Sequence, residues 1–335
     1  MPSIERESHR IVIAGASSLL GAELKSLLEE SKFADWDFRL LDEEDAAGML
    51  TEAGGEPTVI QPVEEGSFER ARFIFFTGSP SFTKANLAAA KLSSGKIVDL
   101  SGSLACEGGT TLWFRKLDEL LGGDFPSSAA TYAVPSAAGT AAAALALALS
   151  RCGVNSIEFQ WFQPVSEAGR AGIEELESQT GQLLSFQRVG QPVFDAQVAF
   201  NLLPAYGAAS AHNLEAVCER VRAEVKACLG NSAVVPSIQA IHAPVFYGAV
   251  FSAYANLNPG ADAGEIAKAC AGAGFALTAR GEAGPSNVSV AGEKTIQLAQ
   301  PKADLVYAGI WWFWGAADNF RLPAWNAVKL AEILA

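Results

Sequence analysis

The sequence predicts an α/β protein with two domains: a parallel-sheet domain, then an α+β domain whose sheet is mostly antiparallel. Three observations lead to this prediction. The chain has 335 residues, more than the roughly 100 to 200 residues of an ordinary domain. Up to about residue 130, short apolar runs alternate with helix-like segments. Beyond residue 140, the apolar runs become long, aromatic and β-branched, which is typical of an antiparallel sheet.

The elements of the first part alternate strand-like and helix-like segments along the chain. In order they are RIVIAGAS, LLGAELKSLLEESK, WDFRLLD, RARFIFFTGS, FTKANLAAAKLSSG and KIVDLSGS. This alternation is the signature of βαβ units and a parallel sheet. We therefore expect a Rossmann-like domain made of residues 1–130 and the C-terminal segment 319–335. Within that segment, PAWNAVKLAEILA predicts an amphipathic helix with Pro323 near its start.

The second domain is expected over residues 131–318. It begins with the apolar run Ala137 to Leu149, which is shorter than the ~20 residues of a membrane span and predicts a buried helix. Long strands are predicted in VNSIEFQWFQPVS, SAVVPSIQAIHAPVFYGAVFSAYANLN and LVYAGIWWFWGAAD, with the polar helix NLEAVCERVRAEVKACL among them. The aromatic strands Phe159 to Phe162 and Val245 to Tyr254 are too apolar to stay exposed, so we expect them to pair two subunits.

Composition excludes several classes of protein. Half of the residues are apolar and 18% are charged, as in a packed globular chain, and the net charge is −13. Without a Lys/Arg run, neither nucleic acid nor an anionic membrane surface is an expected partner. Five scattered cysteines without a C-x-x-C pair indicate reduced thiols and no metal site. The N-terminus is a poor match to a signal peptide, and we expect a cytoplasmic protein.

A glycine-containing turn is the first candidate binding site. In IVIAGASSLLGAEL, Gly15 and Gly21 flank a turn between a buried strand and a helix, where backbone N–H groups can meet a pyrophosphate. Ser18 stands where the common fingerprint has its middle glycine. Asp42 follows Gly21 by 21 residues, close to the ~20-residue spacing of the acidic residue that binds a ribose hydroxyl. A plain strand-turn-helix remains the alternative.

Charge beside that turn bears on the choice of cofactor. Asp42, Glu43, Glu44 and Asp45 form an acidic cluster, which would repel the 2′-phosphate of NADP. We therefore expect weak binding of NAD and weaker binding of NADP. The alternative is that these four residues form a solvated loop.

Taken together, six segments resemble the aspartate-semialdehyde dehydrogenase family over nearly the whole chain. GASSLLGAEL resembles the family's G-A-T-G-A-V-G loop, FIFFTGSPS its second nucleotide-side strand and KIVDLSGSLA its strand ending I-D-x-S-S-x-F-R. WFQPVSEAGRAGIEELESQT is similar to Y-Q-A-V-S-G-A-G-x-x-G-I-x-E-L, VAFNLLP to F-N-x-I-P, and WGAADNFRLPAWNAVKLAEIL to the family's closing segment. The resemblance implies a dinucleotide-binding domain and a homodimer.

The resemblance also implies a chemistry. In the family, a cysteine thiolate attacks the aldehyde, hydride leaves for a nicotinamide, and phosphate releases the acyl group as aspartyl phosphate. A histidine acts as acid and base, and two arginines bind the phosphate and the substrate carboxylate. The nucleophile must be a thiolate near a helix N-terminus, and the base must titrate near neutrality.

Four positions of that chemistry hold other residues in this chain. The family's N-P-N-C-[ST]-T loop falls on AVPSAAGT, which places Ala137 at the cysteine. Its R-x-x-x-x-x-G-H pattern falls on HAPVFYGA, which places His242 at the carboxylate-binding arginine and Ala249 at the histidine. The phosphate-binding arginine aligns with Ala105. The chain therefore resembles the USG-type homologues of the family, in which the catalytic set has eroded.

Substitutes for the missing groups are few. Ser136 is a nearby hydroxyl, but the sequence shows no base to activate it. His242 lies seven residues from Ala249, and a histidine hydrogen-bonded inside a strand is the competing interpretation. His212 is the other candidate base, and Cys106 is expected to pack.

Other positions keep the family's residues. They are Gln163, Ser166, Asn201, Asp318, Asn319 and Arg321. The expected dinucleotide-binding residues are Gly15, Ser17, Ser18, Leu19, Leu20, Gly21, Asp42, Thr77, Gly78, Ser166 and Asn319. Glu167 replaces a glycine of the family, and Leu322 and Pro323 replace its lysine and glycine, which weakens the nucleotide contacts carried over there.

Three functions remain open at this point. The first is a non-catalytic homologue that acts by binding, as a homodimer or with a heteromeric partner. The second is an active NAD(P)-linked semialdehyde dehydrogenase of amino-acid biosynthesis that uses other residues. The third is an interaction protein without a nucleotide. The sequence does not identify the small-molecule ligand.

Overall fold

The structure, a computed structural model, describes residues 9–53, 56–279 and 281–335. It divides into two compact units. The first unit comprises the described residues up to Arg115, with Phe125–Pro135 and Pro323–Ala335. The second comprises Lys116–Asp124 and Ser136–Leu322.

The first unit is built on a parallel sheet. Its strands are β1 (Arg10–Ala14), β2 (Asp37–Asp42), β3 (Leu50–Ala53), β4 (Glu56–Val59), β5 (Gln61–Pro62), β6 (Phe73–Phe76), β7 (Lys96–Asp99), β8 (Thr110–Leu112) and β9 (Thr131–Ala133). Within the described residues, seven of them form one parallel sheet in the order β5-β2-β1-β6-β7-β9-β8. Strands β3 and β4 pair with each other, antiparallel.

Helices cover both faces of this parallel sheet. The helices of the chain are α1 (Leu19–Glu29), α2 (Pro80–Lys91), α3 (Leu117–Leu121), α4 (Ala137–Ser150), α5 (Gly169–Leu184), α6 (Leu214–Leu229), α7 (Ala263–Gly272) and α8 (Arg321–Leu334). On one face, α1 and α8 pack through Leu24 and Val328 against Ile13. On the other, α2 packs through Phe82 against Ile74. Burial from both sides explains why these strands are continuously apolar, and the predicted parallel sheet is confirmed.

The second unit holds a mixed sheet. Its strands are β10 (Val154–Gln163), β11 (Ser237–His242), β12 (Ala249–Leu257), β13 (Phe275–Leu277), β14 (Ile296–Leu298), β15 (Lys302–Ala303) and β16 (Ile310–Ala317). The order is β11-β10-β12-β16-β14-β13, and β15 also pairs with β16. Pairs β10–β11 and β13–β14 are parallel and the others are antiparallel. The prediction of a mostly antiparallel sheet is confirmed.

Side chains alternate across this sheet. Phe159, Trp161 and Phe251 point to the buried face, which α4 shares, whereas Trp312 and Trp314 lie on the opposite, exposed face. The aromatic strands expected to pair subunits therefore bury part of their aromatic set within the unit. The strand expected from Val245 begins only at Ala249, since Gly248 adopts φ +70° and turns the chain.

Helix α4 runs through the core of the second unit. All of its residues from Ala137 to Leu149 are buried, because alanine side chains let α6 and α7 approach the helix closely. The predicted buried helix is therefore present. In the part of the chain that the structure describes, no helix is long and apolar enough to cross a bilayer.

Candidate functional site

The turn between β1 and α1 requires its glycines for steric reasons. Gly15 has φ +98°, and a Cβ there would lie 2.1 Å from the backbone nitrogen of Gly78. A Cβ on Gly21 would lie 2.4 Å from the carbonyl oxygen of Gly15. The Thr77 hydroxyl lies 3.0 Å from the same carbonyl oxygen. The four predicted cofactor residues therefore come together, and their close approach already accounts for the glycines.

Ser18 begins helix α1. Its hydroxyl accepts a hydrogen bond from the Gly21 N–H at 2.9 Å and lies 2.7 Å from the carbonyl oxygen of Gly15. It is the N-cap of the helix, a position that favours serine because the side chain satisfies a free backbone donor. Ser18, which stands at the position of the common middle glycine, thus stabilises the turn through its own hydrogen bonds.

Two backbone N–H groups at the start of helix α1 have no hydrogen-bond acceptor among the described residues. Among the described residues, no acceptor faces the N–H groups of Leu19 and Leu20. The N-terminus of a helix carries a partial positive charge, and its unpaired N–H groups can bind an anion. These two groups are what the turn offers to a pyrophosphate.

Asp42 lies at the carboxyl end of β2 and is buried. One carboxylate oxygen accepts the Ser17 N–H at 2.7 Å, and the other accepts the Glu43 N–H at 2.9 Å. The carboxylate therefore ties the turn to β2. A ribose hydroxyl would share these oxygens with both backbone donors.

In the second unit, the N-terminus of α4 meets a buried carboxylate. Ser136 is the N-cap, and its hydroxyl accepts the Gly139 N–H at 3.1 Å. Oε2 of Glu224, on α6, accepts the Ser136 hydroxyl at 2.6 Å and the Ser136 N–H at 3.1 Å. Ala137, the first residue of α4, is buried beside them. The anion-binding end of this helix is therefore occupied by a carboxylate of the protein itself.

Arg220 stands between two carboxylates. Its Nη2 lies 3.9 Å from Oε2 of Glu167, and its Nε lies 4.0 Å from Oε1 of Glu224. Burial raises the pKa of Glu167, while Arg220 and a hydrogen bond from Asn319 act in the opposite direction. The two carboxyl groups flank the single guanidinium, so Arg220 is already engaged within the cluster.

Asn319 joins the loop after β10 to the loop before β12. Its amide nitrogen lies 3.2 Å from the Ser166 hydroxyl and 3.1 Å from Oε1 of Glu167, and its oxygen accepts the Gly248 N–H at 3.1 Å. The structure therefore brings the predicted cofactor residues Ser166 and Asn319 together. Both are buried, and the amide of Asn319 is engaged within the unit on both of its ends.

The position that aligns with the family's acid/base histidine offers no titratable group. Ala249 is fully buried and opens β12 opposite Ala317. His242 is also fully buried, with Nε2 3.1 Å from the Val198 carbonyl oxygen and Nδ1 3.4 Å from the Tyr206 hydroxyl. Burial lowers the pKa of His242, so it is a neutral core histidine at the end of β11.

The other candidate residues are spread over the second unit. His212 is half-buried, and burial lowers its pKa. Asn201 donates to the Gln197 carbonyl oxygen at 3.1 Å. Gln163 is buried at the end of β10, and within the described residues its Oε1 has no hydrogen-bond partner.

Two of the residues singled out in the sequence lie in the first unit. Ala105 is buried, and the adjacent Cys106 is exposed. The expectation that Cys106 packs is wrong, because the residue lies on a surface loop after β7. Among the described residues, no group of three His, Cys, Asp or Glu side chains could hold a metal ion.

Sequence reasoning missed Glu224 and Arg220. Their i, i+4 spacing on a polar helix was a visible signal for an ion pair. Nothing in the sequence signals that Glu224 reaches Ser136, which lies 88 residues away along the chain.

Sequence comparison and structure comparison both match this chain to semialdehyde dehydrogenases. A sequence profile described as semialdehyde dehydrogenase, dimerisation domain, matches residues 145–322. The chain is 27% identical over 337 residues to a USG-1 protein homolog of Pseudomonas aeruginosa, covering 97% of both chains. It is 23% identical over 336 residues to aspartate-semialdehyde dehydrogenase of Rickettsia bellii, covering 98% of both.

Solved structures share the architecture. A probable aspartate-semialdehyde dehydrogenase from Pseudomonas aeruginosa superimposes with a TM-score of 0.85 at 25% identity, covering 97% of this chain and 98% of that one. The fold is also that of an aspartate semialdehyde dehydrogenase from Candida albicans solved with NADP, at a TM-score of 0.65 and 13% identity, covering 97% and 98% of the two chains.

Proposed function

The chain belongs to the semialdehyde dehydrogenase family, and we propose that it is a non-catalytic member that acts through binding. One observation carries the proposal. At the N-terminus of α4, the position that aligns with the family's nucleophile is Ala137, and the carboxylate of Glu224 holds the helix start.

The covalent step of the family has no route through these residues. A methyl group cannot form a thioester, and Ala137 and Ala249 are both buried. Covalent catalysis needs a nucleophile and an acid/base group within hydrogen-bond reach of it. In this chain both aligned positions are alanine, which supports the loss of turnover.

Electrostatics around the same positions disfavour the family's anionic substrates. Ala105 and the neutral His242 stand where the resemblance places two arginines, so the bidentate partners of a phosphate and a carboxylate are missing. The guanidinium of Arg220 is already engaged by Glu167 and Glu224. An acyl phosphate would therefore gain little at this unit.

Nucleotide binding is the function that the first unit supports best. The free N–H groups of Leu19 and Leu20 can take a pyrophosphate, and Asp42 lies at the end of the neighbouring strand. We expect weak binding of NAD and weaker binding of NADP, because Asp42, Glu43 and the acidic residues after them would repel a 2′-phosphate. Equal affinity for both nucleotides would refute this assignment of Asp42.

The second candidate function is an active dehydrogenase that uses Ser136. The observation in its favour is the 2.6 Å hydrogen bond from the Ser136 hydroxyl to Glu224, since a carboxylate can accept a proton from a nucleophile. Against it, the same hydroxyl is engaged by the Gly139 N–H as the helix cap.

A turnover assay distinguishes the non-catalytic binding protein from the dehydrogenase that uses Ser136. We would follow the absorbance of reduced cofactor with aspartate semialdehyde, phosphate and NAD or NADP, for the wild type and for Ser136→Ala, beside an active enzyme of the family as positive control. We expect no turnover from either protein, and nucleotide-dependent thermal stabilisation that is larger for NAD. Turnover by the wild type that Ser136→Ala abolishes would overturn the proposal.

We also propose that the chain is a homodimer. The matched dimerisation profile covers residues 145–322, most of the second unit, and the sheet of that unit exposes Trp312 and Trp314 on the face opposite its helices. Neighbouring exposed aromatic side chains suit an interface between subunits. Sedimentation that shows only monomer at micromolar concentration would refute the dimer.

A further inference from the structure

Strand β11 has one open edge. It is the terminal strand of the second unit's sheet, and β10 pairs with it on one side. The backbone N–H and carbonyl of His242 bond to Leu203, so they point away from β10. Every second residue of a strand points the same way, and the backbone groups of Ala240 and Ile238 therefore also face outward. The hydrogen bond from the Ala240 N–H to Cys218 Sγ, at 3.1 Å, agrees with this orientation.

Three of these outward backbone groups are available for pairing. Among the described residues, no acceptor faces the Ile238 N–H, and no donor faces the carbonyl oxygens of Ile238 and Ala240. Unpaired groups at the edge of a sheet are a template for an added strand. The opening is short, because the pairing with Leu203 closes the edge at His242.

A cavity of about 550 Å³ opens onto this edge, and we call it the edge cavity. Its volume lies in the range of small-ligand sites, ~300–1,000 Å³. Besides Ile238 and Ala240, one wall is the face of α6 that carries Glu215, Cys218 and Arg222. Spacings of three and four residues place these side chains on one side of the helix. The opposite wall is the segment 204–213.

Hydrogen bonds hold that opposite wall in place. The Ala209 N–H donates to the Asp195 carboxylate at 3.0 Å, and the Ser210 hydroxyl donates to the Val193 carbonyl oxygen at 2.8 Å. A wall that is already ordered loses little conformational entropy when a ligand binds.

Opposite charges stand along the helix wall of the edge cavity. Arg222 follows Glu215 by seven residues, which is roughly 10 Å along a helix. Among the described residues, neither side chain forms an ion pair. An extended chain of three residues spans the same roughly 10 Å, at ~3.3 Å per residue. The cavity therefore offers one charged group to each end of a short zwitterionic chain.

The contact between α6 and β11 fixes the order of these charges. Strands β10 and β11 are parallel, and α6 lies in the crossover that joins them. The helix of such a crossover runs against the strands. Cys218 lies beside Ala240, so Arg222, one turn later on α6, lies toward Ile238. Glu215 lies toward the other end of β11.

We propose that the edge cavity binds a free peptide of about three residues, added antiparallel to β11. Opposite residues of an antiparallel pair exchange hydrogen bonds at every second position. The third peptide residue pairs with Ile238: its N–H donates to the carbonyl oxygen, and its carboxylate accepts the Ile238 N–H and meets Arg222. The first residue lies opposite Ala240, where its ammonium group donates to the carbonyl oxygen and faces Glu215. A parallel peptide would bring its carboxylate to Glu215 instead, and like charges repel.

Calorimetric titration with trialanine tests the site, because this peptide supplies the backbone and both termini with minimal side chains. We expect binding to the wild type at millimolar concentration or below. Arg222→Gln should weaken it about tenfold, since a charge-assisted hydrogen bond is lost. Lys226→Gln removes a positive charge elsewhere on α6 and should leave the affinity unchanged. Both residues are exposed, so both variants should keep the far-UV circular dichroism of the wild type.

Modified peptides test the orientation. In the proposed pairing, the N–H of the third alanine donates to β11, whereas the N–H of the second points away. Methylation of the third nitrogen should therefore weaken binding about tenfold, and methylation of the second should have little effect. Equal losses from the two methylations would refute the strand pairing.

Three other results would overturn the assignment. Trialanine that does not bind the wild type at millimolar concentration, or that binds Arg222→Gln equally well, would exclude the site. Trialanine with an amidated C-terminus that binds as tightly as the free acid would show that the edge takes an internal stretch of chain and not a free peptide. Neither nucleotide nor semialdehyde takes part in these titrations, so the proposed function is judged separately.

Discussion

Replacing Gly139 by alanine tests whether Glu224 holds the start of α4. In an ordinary helix interior this change stabilises by about 1 kcal/mol, because glycine is the more flexible residue in the unfolded chain. At Gly139, a Cβ would lie 2.2 Å from Oε2 of Glu224 and 3.2 Å from its Cβ. Ordinary contact begins near 3.4 Å, so the carboxylate must retreat by roughly 1 Å.

That retreat breaks the two hydrogen bonds from Ser136 to Glu224. Each hydrogen bond to a charged group contributes about 1.5–3 kcal/mol, so the loss is about 3–6 kcal/mol. After the gain in helix propensity, Gly139→Ala should lower the free energy of unfolding by about 2–5 kcal/mol. Urea unfolding followed by far-UV circular dichroism measures this difference.

Gly181 is the matched control. It lies within α5, and no atom approaches the position of its Cβ within 4 Å. Gly181→Ala should therefore raise the free energy of unfolding by about 0.5–1 kcal/mol. In a Glu224→Ala background the carboxylate is gone and only the Cβ contact at 3.2 Å is left, so Gly139→Ala should become neutral or stabilising. If Gly139→Ala stabilises the wild type as much as Gly181→Ala does, Glu224 does not hold the helix start.

Two further predictions concern Glu167 and Gly15. Burial raises the pKa of Glu167 in the folded chain above its usual 4.5, so the folded chain binds this proton more tightly than the unfolded chain. Stability should therefore fall, relative to Glu167→Gln, as the pH rises from 4.5 through the folded pKa; a pH-independent difference would contradict this. Gly15→Ala should cost at least about 2 kcal/mol of unfolding free energy, because φ is +98° and Gly78 is 2.1 Å from the new Cβ. Gly108→Ala, in open space, is its control and should stay within about 0.5 kcal/mol, and equal effects would sink the steric argument.

Periodicity explains which parts of the fold were predictable. The strands of the parallel sheet are buried on both faces, so β1 (RIVIA) and β6 (FIFF) are recognisable in the sequence as apolar runs. The pair β3 and β4 was missed because its short segments expose Leu50, Glu52 and Glu56 and lack the apolar alternation of a half-buried strand. In β10, the alternation of Phe159 and Trp161 with exposed residues was visible in the sequence. This alternation assigns both rings to the helix-covered face of the sheet.

The sequence identified residues of the candidate site but not the hydrogen bonds between distant ones. Local spacing identified the turn at Gly15, since its parts lie within one strand-turn-helix. The Ser136 to Glu224 hydrogen bond spans 88 residues, and such partners are set by how α4 and α6 pack. The same holds for Asn319 and Ser166, which are 153 residues apart. The resemblance to a family placed Ser166 and Asn319 at one site before the structure did, whereas nothing paired Ser136 with Glu224.

The burial of α4 has a consequence for the exchange of its amide hydrogens with solvent. From Ala137 to Leu149 every residue is buried, so no face of the helix can fray outward on its own. Amides in such a segment meet deuterated water only when the whole unit opens. Their exchange rates in native conditions therefore report the global stability of the second unit.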